Sequence, residues 1–80
     1  PAQLTAHLEG DGSLLVSNHG GRRAAINAVG PADGKPWRSG ALGWVLPGGA
    51  LRYSFTGVKL THGQAIQVVD GQQPVTLVVE

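Results

Sequence analysis

Three histidines and five carboxylates are the groups in this eighty-residue chain that could move protons or hold a metal. His7, His19 and His62 stand far apart, and none belongs to an HxH or HExxH spacing that would aim two imidazoles at one ion. A catalytic triad would have to join one of them to Ser13, Ser17, Ser39 or Ser54 and to an acid, yet no GxSxG nucleophile turn is present. Of the carboxylates Glu9, Asp11, Asp33, Asp70 and Glu80, three belong to the dipeptide Asp-Gly, at positions 11, 33 and 70. Asp-Gly is turn chemistry: the carboxylate accepts a nearby backbone N–H, and glycine tolerates positive φ. The oxygens are too dispersed for a calcium loop. The glycines form neither GxxxxGK[ST] nor GxGxxG, so no phosphate cradle is expected. These patterns predict no catalytic, cofactor-binding or metal-binding residue, and a protein that is not an enzyme.

Trp37, Trp44 and Tyr53 could in principle stack on sugar rings. Tyr53, however, alternates in phase with Leu51 and Phe55, and Trp44 lies in the apolar run ALGWVL, so both are expected in the core. Trp37, between Pro36 and Arg38, is the aromatic expected to be partly exposed, and one such ring makes no platform. Charged residues are 14% of the chain and the net charge is +1. The basic residues are scattered, apart from Arg22-Arg23, which leaves no nucleic-acid footprint. No apolar run reaches the ~18 residues of a membrane span, and no secretion signal is visible. There is no cysteine, so the core must stabilise the fold without disulfides. The chain begins at Pro1 without an initiator methionine, as a mature product or a domain cut from a longer protein would.

The elements that must position these residues are short strands. Leu4, Ala6 and Leu8 alternate with polar residues, giving one apolar face. Asp11-Gly12 predicts a hairpin turn. SLLVSN then places Leu14, Val16 and Asn18 on one side, and His19-Gly20-Gly21 breaks it. RRAAINAV is a weaker run, ended by Gly30-Pro31. Residues 30 to 40 read as a long loop with a short edge strand at Lys35 to Arg38, because a proline cannot donate to a central ladder. In GWVLPGGALRYSF, Pro47, Gly48 and Gly49 interrupt two apolar runs. They mark a corner where the chain turns, with Leu51, Tyr53 and Phe55 inward on the far side. QAIQVV puts Ile66 and Val68 on one face, Asp70-Gly71 turns, and VTLVVE puts Val75, Leu77 and Val79 on another. Gly or Pro interrupts every window long enough for a helix. The expected fold is all-β: one domain over residues 1–80, an immunoglobulin-like antiparallel β-sandwich of about seven strands. A small closed barrel is the alternative. The expected core comprises Leu14, Val16, Trp44, Leu51, Tyr53, Phe55, Ile66, Val68, Val75 and Leu77.

The order Leu14-x-Val16-x-Asn18, a long loop, Gly43-Trp44-Val45-Leu46-Pro47-Gly48, an alternating strand, then Val69-Asp70-Gly71 before a terminal strand resembles the C-terminal domain of periplasmic pilus (fimbrial) assembly chaperones of the chaperone–usher pathway. The resemblance spans about residues 4 to 80. It implies a two-domain periplasmic protein of a Gram-negative bacterium. Such a protein binds and caps pilin subunits by lending them a strand, and delivers them to an outer-membrane usher with no cofactor. This chain would be the second domain, buttressing the cleft, with its own N-terminal domain, pilins and the usher as partners. The donated strand and the carboxylate-anchoring basic residues belong to the N-terminal domain, so no residue here inherits those roles. Asp70 resembles the family's turn aspartate, which joins an ion-pair network between the two domains. The family usually reads Asn-Asp-x-Gly there; here Val69 replaces the Asn and Gly71 follows Asp70 at once.

The competing reading is an immunoglobulin-like accessory module of a secreted protein that binds carbohydrate or another protein. Under either, a domain this small is expected to be marginal alone. Self-association through an exposed face or strand is then expected.

Overall fold

The computed structural model describes all residues, 1–80, and every regular element is a strand. Strand β1 (Leu4–Leu8) runs into β2 (Leu14–Asn18) through a loop in which only Gly12 takes positive φ, 88°. The Asp11 carboxylate stabilises this loop by accepting from the Ser13 amide at 2.9 Å and from the Ser13 hydroxyl at 2.6 Å. Strand β3 (Ala24–Pro31) is followed by two-residue strands β4 (Arg38–Ser39) and β5 (Trp44–Val45). Strands β6 (Ala50–Tyr53), β7 (Ala65–Asp70) and β8 (Gln73–Val78) complete the chain.

These strands form two antiparallel layers. One has the order β1-β2-β6; the other has the order β4-β3-β7-β8, with β5 also on β3. The result is a two-layer antiparallel β-sandwich, the expected fold class, with eight strands because the long middle segment contributes two very short ones. A parallel bridge between Ala6 and Val79 ties the layers at one edge, and Glu80 extends it by donating to Ala6 O and accepting from Leu8 N. The expected edge strand at Lys35 to Arg38 forms instead at Arg38–Ser39, overlapping the expectation only at Arg38 and leaving Pro36 outside the ladder. The loop before it lies close on β3: a Cβ on Gly30 would stand 2.5 Å from Pro36 Cα, so only glycine admits this approach.

The Pro47-Gly48-Gly49 corner carries the chain from one layer to the other, from β5 on β3 to β6 on β2. Gly49 N–H donates to Leu46 O at 2.8 Å and Gly48 has φ 77°, the geometry of a type II turn with Pro at its first central position.

Between the layers lie Leu14, Val16, Tyr53, Ile66 and Val68, all expected there, together with Ala6, Ala24, Ile26, Val29, Val45, Leu60 and Val79. Leu51, Phe55 and Leu77 are half-buried and pack on this cluster. Val75 pairs with buried Val68 but stands on the sheet's outer strand, which leaves it only half-covered. One core expectation is overturned: Trp44 is 54% exposed. The cause is register. Val45 faces Ala24 across the β3–β5 pair, on the inward side, and Trp44 faces Ala25 on the outward side. In a stretch apolar at both phases, alternation could not choose between the two.

Candidate functional site

Asn18 ends β2 and is 1% exposed, so its amide has to find partners within the protein. It finds four. Oδ1 accepts from Gln3 N at 3.1 Å and from Gly20 N at 2.9 Å. Nδ2 donates to Arg22 O at 2.7 Å and to Val45 O at 3.1 Å. Its backbone adds two more, donating to Gly49 O at 3.0 Å and accepting from Gly48 N at 2.9 Å. One buried residue, by side chain and backbone, thus ties the N-terminal segment, the 19–22 loop, β5 and the sheet-crossing corner together. The alternation of SLLVSN placed Asn18 inward; its role as a junction carried no signal in sequence.

What this junction holds in place is a surface. Trp44 and Leu46 are 54% and 59% exposed and, two residues apart on an extended segment, project to the same side while Val45 points inward. The Arg23 guanidinium lies 4.6 Å from the Trp44 ring centroid, a cation–π contact. Arg22 and Arg23 are both exposed, and neither has an acidic partner. The one ion pair in the chain is Arg52–Glu9, at 3.0 Å.

Asp70 stands on the far side of β3 from this patch. It closes the β7–β8 hairpin opposite Gln73, and its Oδ1 accepts from Ala25 N at 3.0 Å. Gly71 N donates to Ala25 O at 2.8 Å, and Asn27 Nδ2 to Gly71 O at 2.6 Å. These contacts surround an irregularity between Ile26 and Ala28 where β3 shifts register against β7. The carboxylate is half-buried and has no cationic partner within the chain.

The other chemistry-bearing residues are dispersed. His7, His19 and His62 are exposed, and His19 Nε2 lies 3.0 Å from Thr5 Oγ1. No three His, Asp or Glu side chains gather where they could hold a metal. Ser13 is engaged by Asp11, whose carboxyl is held below its ordinary pKa by the Ser13 hydroxyl first and the Ser13 amide second. Trp37 is half-buried against Phe55, with ring centroids 5.1 Å apart, so the more exposed tryptophan is Trp44. Tyr53 OH donates to Leu42 O at 3.1 Å. An open groove of about 490 Å³ lies at the other end of β2 between the 9–12 loop and residues 58–62. Its floor is Leu8, Val58 and Leu60, and its charged groups are Glu9, already paired with Arg52, and Lys59.

No protein-family model matches the chain, and no curated protein or solved structure matches it. Fold and site define a small antiparallel β-sandwich with one rigidly held aromatic and basic surface.

Proposed function

We propose that this chain is the second, immunoglobulin-like domain of a periplasmic pilus-assembly chaperone, a non-enzymatic domain that buttresses the cleft in which the full protein caps pilin subunits for delivery to an outer-membrane usher. The carrying observation is how the segments behind the resemblance meet in space. The β2 segment ends in Asn18, whose amide and backbone bind the Trp44–Gly49 corner. The Asp70 turn closes on β3 at Ala25, which itself pairs with Trp44. Residues distant in sequence are therefore one structural unit at one end of the sandwich, as they would be if that end faced a second domain.

In this reading Asp70 supplies the carboxylate of an interdomain ion pair. Its attachment to the Ala25 amide fixes it in place, and it has no cation of its own. Burial of such a group against another domain requires a positive partner there, because an unpaired buried charge costs several kcal/mol.

The experiment is to pair the chain with a preceding donor-strand domain and measure pilin capture from periplasmic extracts, with Asp70→Asn beside the unaltered sequence. Capture by the parent, lost or sharply reduced by Asp70→Asn while the melting temperature of the separate domain stays unchanged, supports the proposal. Capture unaltered by the substitution reduces Asp70 to a turn residue, and no capture by the parent removes the chaperone reading.

The reading as an accessory module gains one observation, the exposure of Trp44. A sugar would stack on the ring face, however, and Arg23 stands over that ring.

A further inference from the structure

Trp44 and Leu46 are two of the three large apolar side chains left exposed on the whole molecule, and they flank inward-pointing Val45 in the chain. Singly exposed apolar residues are ordinary; an adjacent aromatic and aliphatic pair beside two arginines is the composition of a contact surface. No carboxylate forms an ion pair with Arg22 or Arg23. Glu9 pairs with Arg52, Asp11 with Ser13, Asp70 with the Ala25 amide, Asp33 is in the exposed 31–34 turn, and the Glu80 backbone bonds to β1. Arg22 and Arg23 are exposed and have no ion-pair partner in the chain.

The patch is also held in shape before any contact is made. Asn18 Nδ2 bonds to the carbonyl of Arg22 and to that of Val45, so the loop carrying the arginines and the strand carrying Trp44 are fastened to the same buried atom. Arg23 is ordered further by the Trp44 ring. Tryptophan and arginine are enriched among the few residues that carry most of the energy of protein contacts, and rigidity before binding lowers the entropy lost on association.

We propose that Trp44, Leu46, Arg22 and Arg23 form a docking surface for an acidic, apolar peptide segment of a partner protein: its carboxylates meet the two guanidinium groups and an apolar side chain lies along the Trp44–Leu46 ridge. Charge complementarity selects this occupant, because planar guanidinium groups match carboxylates in paired hydrogen bonds. The patch lies on the β5 edge of β3 and Asp70 on the β7 edge, and the proposal rests on the exposure and charge of the patch, not on the chaperone reading.

The test uses the isotope-labelled chain and records amide and indole correlation spectra. The probes are a short peptide alternating glutamate and leucine, the same peptide with glutamine for glutamate, and phosphatidylglycerol vesicles. Expected are shifts confined to Arg22, Arg23, Leu46 and the Trp44 indole with the glutamate peptide, weakening with added salt. Arg22→Gln with Arg23→Gln, and separately Trp44→Ala, should each lower that affinity about tenfold. Arg52→Gln, which removes a cation elsewhere, should leave it unchanged. Absence of shifts, equal binding of the glutamine peptide, or shifts mapping to the groove near Leu60 overturns the proposal. Binding to vesicles alone would assign the patch to a lipid surface. Shifts of the same amides with protein concentration alone would assign it to a second copy. Each of these outcomes also rejects the peptide partner.

Discussion

Asn18 Nδ2 donates to Val45 O across 27 residues of sequence, at 3.1 Å, and this bond fastens the end of one sheet to a strand of the other. A lone asparagine among apolar side chains would normally be a liability, since burying an amide without partners costs more than a typical hydrogen bond returns. Here every lone pair and proton of the amide is used. The residue thereby sets where β2 stops, where the 19–22 loop lies, and at which point the chain leaves β5 for β6.

Asn18→Ala should therefore cost much more than a truncation of its size. Four backbone groups lose their partner at once, and the expected loss is about 3 kcal/mol or more. In a chain this short that is a fall in melting temperature of roughly 15 °C. Asn18→Leu fills the volume but restores no hydrogen bond, and should be no better than alanine. Thermal and urea unfolding of the three proteins decide it: a leucine variant as stable as the parent would show the site to be a packing position.

Trp44→Ala and Val45→Ala separate the two phases of β5. The exposed tryptophan should be lost with little change in urea midpoint, within about 0.5 kcal/mol, as for other surface positions. Val45, 1% exposed and opposite Ala24, should cost about 2 kcal/mol. The reverse order would place the tryptophan inside. The intrinsic emission gives a second reading: Trp44→Ala should remove the more solvent-exposed of the two emitters, leaving Trp37 against Phe55.

That pair of residues also marks how far the sequence could be followed. Strands with one polar phase were legible: Leu4, Ala6 and Leu8 against Thr5 and His7, and Ile66 and Val68 against Gln67, as were the Asp-Gly turns that follow them. Leu51, Tyr53 and Phe55 fell on the expected side because Arg52 and Ser54 flank them. In ALGWVL both phases are apolar, so the choice passes to the β3 register, a contact some twenty residues away that no local pattern contains. The same holds for the binding patch. Arg22-Arg23 stood out as the sole adjacent basic pair, but its neighbourhood with Trp44 exists only once β3 and β5 have paired and Asn18 has drawn both loops together. The alanine-rich β3 read as weak because its stability comes from partners on both sides, β7 on one and β4 and β5 on the other.

Tyr53 gives the pH-dependent prediction. It is the sole tyrosine of the chain, 4% exposed, and burial raises its pKa above the ordinary value of 10.0, with the Arg38 guanidinium, 5.8 Å from the ring centroid, opposing the shift in part. A group whose folded pKa is raised binds its proton more tightly in the native state. Its contribution to stability is complete below the unfolded value and declines as pH rises through the folded one. Urea midpoints should thus fall on the alkaline side of pH 10, and Tyr53→Phe, which cannot ionise, should lack this component of the decline. The phenylalanine variant also loses the hydrogen bond to Leu42 O, a constant offset of about 1 kcal/mol at neutral pH. Tyrosinate absorbance, unambiguous with a single tyrosine, follows the same ionisation directly. A tyrosine that titrates at its ordinary value in the folded chain, or identical alkaline profiles for parent and variant, would mean that solvent reaches the Tyr53 hydroxyl, and the contact with Leu42 would then have to be open.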